Sequence, residues 1–469
     1  MATPLEHLQY ISDRNWLIGI DSQQLQQLAT ELYLELTSYL LDINPPIIIL
    51  AEPNPVNFLA GFIAACTAKF PIFICNPSWG KNEWQQVLGL VQPDIIWAPE
   101  SVIYGAIEEW KNTGMASQKN MPNQIMIPTG GSCGKIKFAI HTWDTLMASV
   151  QGFTTYFDLQ QVNSCCVLPL YHVSGLMQFM RSFVTGGKLA IAPFKELESG
   201  QICHLDIRDF CLSLVPTQLQ RLLQQELLIT WLSQFNMILL GGAPAWDELL
   251  ATARHHKIHL APTYGMTETA SQISTLKPDD FLQGKINSGQ ILPHANVTIC
   301  NELGQKLDTN QVGNIHIQAK SLFLGYYQHC SQLPMSNYQF KIDDLGFFDD
   351  QGYLHIVGRN SDKIITGGEN VYPGEIEAVI RATGLIVDIC VIGIPDEYWG
   401  QAVTAIYVPK KNLDSQEKII GLIQDKISKY KIPKYWIMVE DIYRNEKGKI
   451  NRQQLKKIAM DSRKIKLKN

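Results

Sequence analysis

The sequence predicts an α/β fold: a large N-terminal domain of layered α/β sheets with a small β subdomain, then a smaller C-terminal α+β domain. Three observations carry this. Short apolar runs alternate with helical stretches through the first half, the pattern of parallel strands with crossover helices. From Asn296 to Tyr327 it changes to short strands with glycine and asparagine breaks. And 469 residues exceed what one hydrophobic core supports, so two or more domains are expected.

In chain order, Pro46 to Leu50 reads as a buried strand, Val56 to Lys69 as a helix and Ile72 to Cys75 as a strand. Glu83 to Leu90 reads as a helix and Ile95 to Trp97 as a strand. The alternation repeats with Leu212 to Val215, a helix from Thr217, and Met237 to Leu240 running into Gly241-Gly242-Ala243-Pro244. Loops at the carboxyl ends of such strands are where α/β sheets bind ligands. Gly358 to Pro373, punctuated by Gly367-Gly368 and Pro373-Gly374, reads as the boundary region, dividing the chain into 1–360 and 361–469. Beyond it, a helix from Glu375, strands near Ile389 to Ile394 and Val403 to Val408, and a helix from Gln416 to Tyr430 are expected.

Composition narrows the class. With 46% hydrophobic and 18% charged residues the chain is globular, not disordered. No run approaches the roughly 18 apolar residues of a membrane span, and Phe58 to Ala68 comes closest. Glu6 and the lack of a long apolar core argue against a secretory signal. Ten cysteines without a Cys-x-x-Cys suggest a reduced, cytoplasmic protein without a zinc ribbon. Net charge is −5, yet residues 401–469 hold 17 Lys and Arg against 7 Asp and Glu. Such a tail suits a basic unit closing over a polyanionic small molecule better than it suits nucleic acid.

The most informative stretch is Thr129-Gly130-Gly131-Ser132-Cys133-Gly134-Lys135-Ile136-Lys137. Glycines let several backbone N–H groups turn toward one anion, and hydroxyls and lysines add donors and charge. It is not a Walker loop, because Thr129 occupies that motif's first glycine position and Ile136 its final hydroxyl. The loop is expected to hold nucleotide phosphates between two strands.

Further motifs follow in order: Tyr264-Gly265-Met266-Thr267-Glu268, Asp344-Leu345-Gly346, Gly358-Arg359-Asn360-Ser361-Asp362-Lys363 and Gly448-Lys449-Ile450. Together with the loop they resemble the adenylate-forming superfamily of acyl-CoA synthetases, luciferases and peptide-synthetase adenylation domains. The resemblance implies ATP and Mg²⁺ as cosubstrate and cofactor, CoA as acceptor, and a mobile C-terminal domain. It implies that Thr129 to Gly134 with Lys137 cradle the β- and γ-phosphates, Cys133 standing where the family has a hydroxyl. Gly242, Ala243, Pro244, Tyr264 and Gly265 would form the adenine pocket. Thr267 would contact phosphate, Glu268 would ligate Mg²⁺, and Asp344 and Arg359 would hold the ribose. A plain surface ion pair is the rival reading of the last two.

Activating a carboxylate forces two anions together, at several kcal/mol for close charges at an effective dielectric near 20. The resemblance gives Lys449 the task of bridging carboxylate and α-phosphate. Its neighbours Lys447 and Arg452 read as surface charges. Ser361 would be the hinge, and Gly367 and Gly368 would line a thiol channel.

Leu168 to Gly175, with Arg181 nine positions after His172, resembles the 2-succinylbenzoate–CoA ligases of menaquinone and phylloquinone synthesis. That acid is a dicarboxylate. Ser174 or Arg181, a planar fork donor, suits the carboxylate that does not react, and His172 would close the pocket at the reacting end. A core histidine and a surface arginine are the plain alternatives. His255, His256 and His259 need no metal to explain them. Another aromatic or medium-chain acid, or an adenylation enzyme serving a carrier protein, are the competing functions.

Overall fold

The computed structural model describes residues 2–39, 45–100, 102, 122–130, 135–201, 206–327, 339–410, 415–444 and 450–466. Four sheets organise them. The first has five strands in the order Ile95–Trp97, Ile48–Leu50, Ile72–Ile74, Ile125–Gly130 and Ile136–His141, parallel except for the last pair. The second has eight: Leu17–Ile18, Leu189–Ile191, Asn163–Cys166, Phe210–Leu214, Met237–Leu240, Leu260–Met266, Ser271–Thr275 and Gln290–Ile291. It is parallel through Leu260–Met266, after which the last two strands run antiparallel.

Helix Pro55–Ala68 shows why the predicted alternation folds this way. Asn54 caps its first turn by accepting from the Val56 and Asn57 N–H groups, and Pro55 occupies the first position, where no N–H is needed. It ends where Lys69 turns left-handed at φ +63°. A helix apolar on every face must be buried on every face. Phe58 and Phe62 of this one sit in a core that joins Ile48 and Ile72 of the first sheet to Cys166 and Leu189 of the second. Truncating Phe62 to alanine would cost about 3–5 kcal/mol.

The β subdomain is larger than the sequence pattern suggests. Ala295–Cys300 and Gly313–Ala319 pair with Phe340–Phe348 and Leu354–Arg359 into one antiparallel sheet. Ile342-Asp343 thus lie within a strand. The fourth sheet draws only on residues 364–438: Glu369–Val371, Ile364–Thr366, Gly400–Pro409 and Ile386–Asp396, with Tyr435–Met438 parallel to Gly400–Pro409. The helix expected from Gln416 to Tyr430 stops at Ile423. The chain then turns, and Ile427 and Tyr430 beyond the helix pack onto the C-terminal core. No helix among the described residues is long and apolar enough to cross a membrane.

Candidate functional site

The glycine-rich loop connects two antiparallel strands, Ile125–Gly130 and Ile136–His141, with Thr129 opposite Lys137 and Gly130 opposite Ile136. It therefore opens onto a strand, in keeping with the rejection of a Walker loop. Gly131, Ser132, Cys133 and Gly134 lie outside the described residues, as does Lys449. Lys137 places its Nζ 5.1 Å from the centroid of the Tyr326 ring. The Tyr326 hydroxyl in turn donates to Glu268 Oε1 at 2.7 Å. A cationic side chain from the loop thus stands one residue away from the buried carboxylate of the second motif.

Thr267 to Thr269 form a single 3-10 turn between strands Leu260–Met266 and Ser271–Thr275. Its geometry is held from several sides. His141, fully buried, donates from Nε2 to the Thr267 carbonyl at 2.8 Å, and its Nδ1 lies 3.0 Å from Thr145 Oγ1. A carbonyl only accepts, so Nε2 carries the hydrogen. Burial pulls this imidazole down to about 4, which keeps it neutral at pH 7. The Glu268 carbonyl accepts from the Phe323 N–H at 2.8 Å. After the turn, Ala270 and Ser271 hold φ of +49° and +89°, unusual for residues with a Cβ and worth about 1–3 kcal/mol of strain each. Ser149 Oγ donates to the Ala270 carbonyl at 2.7 Å and Thr269 Oγ1 to the Ser271 carbonyl at 2.6 Å, holding that conformation.

The nucleoside end of the predicted site is assembled by three strands. Tyr264 donates its hydroxyl to Asp344 Oδ2 at 2.5 Å, and Arg359 Nε lies 3.3 Å from Asp344 Oδ1. Asp344 and Arg359 face each other in register on adjacent strands. Burial, and then the Asp344 carboxylate, hold the Tyr264 phenol well above its ordinary range, so it remains a donor. The ion pair named as the rival reading is present. Its carboxylate also accepts from the Tyr264 hydroxyl, and Arg359 keeps about half its side chain exposed at 48%. Gly242, Ala243 and Pro244 follow the end of strand Met237–Leu240, beside the parallel strand that carries Tyr264 and Gly265.

The acyl-end candidates lie on helix Val173–Thr185, for which His172 is the N-cap. Ser174, Gln178 and Arg181 are spaced i, i+4, i+7 and share one face. Arg181 is buried, not on the surface, at 3% exposure. Its Nη2 donates to Gln272 Oε1 at 2.6 Å and to Ser271 Oγ at 3.3 Å, and its guanidinium lies 4.4 Å over the Phe153 ring. No carboxylate among the described residues pairs with it, and its Nε has no partner there. Burial lowers it only to about 10, so it stays cationic at pH 7. The thiols whose fields it feels, Cys166 and Cys211, are pushed by burial up to about 12 and are neutral. His172 is half-buried and packs edge-on against Tyr171 at 4.7 Å.

Ser361 lies in the exposed turn Asn360–Asp362, where its N–H donates to Asp343 Oδ2 at 3.3 Å. Gly367 and Gly368, both at positive φ, turn the hairpin between Ile364–Thr366 and Glu369–Val371. Arg452 corrects an expectation. It is no free surface charge: it pairs with Asp362 at 3.2 Å, reaches Glu377 at 3.6 Å and donates to the Val391 carbonyl at 2.8 Å. Its position opening helix Arg452–Lys466, against the long hairpin Ile386–Pro409, puts it inward. His255 and His256 pack ring against ring, and His259 Nδ1 lies 3.1 Å from the Phe235 carbonyl.

His141 and Tyr326 escape sequence reasoning. His141 ends an apolar strand that gives no hint of its partner 126 positions on, and Tyr326 lies outside every motif. Mg²⁺ commonly takes one or two carboxylates and fills its shell with water and substrate phosphates. Glu268, buried and backed by a donor from Tyr326, fits that role. No group of three or more His, Cys, Asp or Glu that could hold a metal by itself occurs among the described residues.

Comparison with known proteins adds the following. The model of the AMP-binding enzyme family matches residues 41–327, and that of the AMP-binding enzyme C-terminal domain matches 375–449. A 2-succinylbenzoate–CoA ligase of Listeria monocytogenes is 35% identical over 338 residues, 70% of this chain and 68% of that protein. One of Bacillus cytotoxicus is 31% identical over 378 residues, 78% and 77% respectively. Among solved structures, the o-succinylbenzoate CoA synthetase of Bacillus subtilis with its acyl-adenylate superposes at TM-score 0.81 and 22% identity, covering 97% of this chain and 98% of that one. ATP-bound MatB of Rhodopseudomonas palustris gives the same TM-score, identity and coverage.

Proposed function

Because the chain belongs to the AMP-binding enzyme family, we propose that it activates 2-succinylbenzoate with ATP as the acyl-adenylate and then transfers the acyl group to CoA, an AMP-forming acid–thiol ligation in menaquinone or phylloquinone synthesis. The observation that carries the choice of acid is Arg181. A buried cation without an anionic partner is costly, and the cost is offset when a ligand brings the anion. Arg181 is bonded to Ser271 and Gln272, directly after the Thr267–Thr269 turn, so one hairpin serves both ends of the substrate. The non-reacting aromatic carboxylate is the anion that fits.

In this reading Tyr264, Asp344 and Arg359 hold the nucleoside, and the Thr129–Lys137 loop and Thr267 hold the phosphates. Glu268 holds Mg²⁺, which when bound screens the phosphate charge. Lys449 brings the cation that lets carboxylate and α-phosphate approach, and His172 shields the reacting end. Neutral His141 fixes the Thr267 carbonyl and so the turn that presents Thr267 and Glu268. We place the domain division at 360/361, with Ser361 as the pivot and Gly367-Gly368 at the thiol entry. The site of action is the cytoplasm, which suits a chain whose described cysteines are all free thiols.

The test is pyrophosphate release with ATP, Mg²⁺ and 2-succinylbenzoate, with and without CoA. Adenylate formation without CoA and AMP release only with it are expected. Arg181→Met is expected to raise KM for the diacid at least tenfold, the scale of a lost hydrogen bond to a charged group. A preference for monocarboxylates in the unaltered enzyme would sink the assignment of the acid.

A further inference from the structure

Arg181 is not alone in holding a buried polar atom, its Nε, without a partner among the described residues. Gln272 is 3% exposed and its Nε2 has none among the described residues; His294 is 9% exposed and neither ring nitrogen has one. The three come from separate segments: helix Val173–Thr185, strand Ser271–Thr275, and the turn before strand Ala295–Cys300. They nevertheless converge. Arg181 bonds Gln272 directly and covers the ring of Phe153. Gly152, the residue before Phe153, lies so close to His294 that a Cβ there would sit 1.8 Å from Nδ1 and 2.5 Å from Cγ. Burial, and then the Arg181 charge, lower the His294 imidazole to about 4, so it is neutral at pH 7 and offers one N–H. Buried polar groups are nearly always paired, and a cluster of unpaired ones calls for a missing partner. An unmatched guanidinium, a carboxamide N–H₂ and an imidazole N–H together ask for an anion with several acceptor lone pairs, which a carboxylate has.

We propose that His294, seated by Gly152, is a specificity-determining residue that joins Arg181 and Gln272 in binding the substrate's non-reacting carboxylate. This rests on the acyl reading above and deepens it. Arg181 supplies the charge and His294 a directed N–H, so the pair selects a diacid over a monoacid of the same shape. Gly152 matters because any side chain there displaces the imidazole.

The experiment compares pyrophosphate release from the full chain with 2-succinylbenzoate and with 4-oxo-4-phenylbutanoate, the same acid lacking its ring carboxylate. His294→Leu is expected to raise KM for the diacid about 10-fold or more, with KM for the monoacid and for ATP held within about twofold. His294→Gln, which restores an N–H, recovers most of the loss, and Gly152→Ala shifts KM in the same direction as His294→Leu. Equal effects on both acids, or none, overturn the role of His294. Should the leucine variant not fold, His294→Glu decides: a second carboxylate there must abolish diacid preference, and its persistence overturns the proposal. The two readings fail separately. Loss of diacid preference in Arg181→Met alone, with His294→Leu silent, removes only His294. An unaltered enzyme without diacid preference removes the acyl reading as well.

Discussion

His141 and His294 are both buried and both held near 4, mainly by desolvation. An unfolded chain returns each to about 6.5, so between those values it binds protons that the folded chain refuses. The sign follows directly. Stability rises with pH from about 4 to about 6.5 and is lost as pH falls through that window. Each histidine contributes at most about 1.4 kcal/mol per pH unit. Urea midpoints at pH 7.5 and pH 5 should differ, and the difference should shrink in a His141→Gln, His294→Gln double variant. An unchanged pH dependence in that variant would show that these imidazoles already accept protons in the folded state.

At the scale of elements, helix Trp143–Phe157 bears on both halves of the site. Its Ser149 holds the strained Ala270 carbonyl, its Gly152 seats His294, and Phe153 stacks under Arg181. A capping box starts it: the Thr142 hydroxyl accepts from the Thr145 N–H, and Thr145 Oγ1 accepts from the Thr142 N–H. Thr145 also meets His141, so the same cap orients the histidine that fixes Thr267. Thr142→Ala is expected to cost about 1 kcal/mol, lowering the melting temperature by a few degrees. It should also speed amide exchange in the first turn of this helix more than in Val173–Thr185. Equal exchange rates in the two helices would argue against a local cap.

The sequence foresaw the strands Ile95–Trp97 and Met237–Leu240 to the residue, since each is a short apolar run closed by polar or glycine-rich chain. It gave no sign of Leu17–Ile18. Two residues are too few to display a period, and this strand owes its existence to the edge offered by Leu189–Ile191 far along the chain.

Taken whole, the molecule places Ser361 and Asp362 between two sets of anchors: Ser361 is tied to Asp343 of the β subdomain, and Asp362 to Arg452 of the last helix. If the chain pivots there, removing freedom at one link should separate the two half-reactions. Ser361→Pro loses the N–H that Asp343 accepts and fixes φ. It is expected to change the ratio of adenylate formation to thioester formation by at least tenfold, whichever arrangement it favours. Single-turnover assays of each step check this; parallel losses in both would place the pivot elsewhere.

What the sequence settled by itself was local pattern: a glycine-rich segment joining two strands, a Tyr-Gly-x-Thr-Glu turn, the facing acid and base Asp344 and Arg359, and the layered α/β class. These are legible because backbone freedom and hydrophobic period are written in neighbouring residues. The tertiary structure alone decided burial and partnership. It buried Arg181 with no carboxylate of the described residues to pair it, drew Arg452 inward, and brought His141 to Thr267 and His294 to Gly152. Desolvation and hydrogen-bond pairing depend on which distant segments meet, and no run of adjacent residues encodes that by its own period.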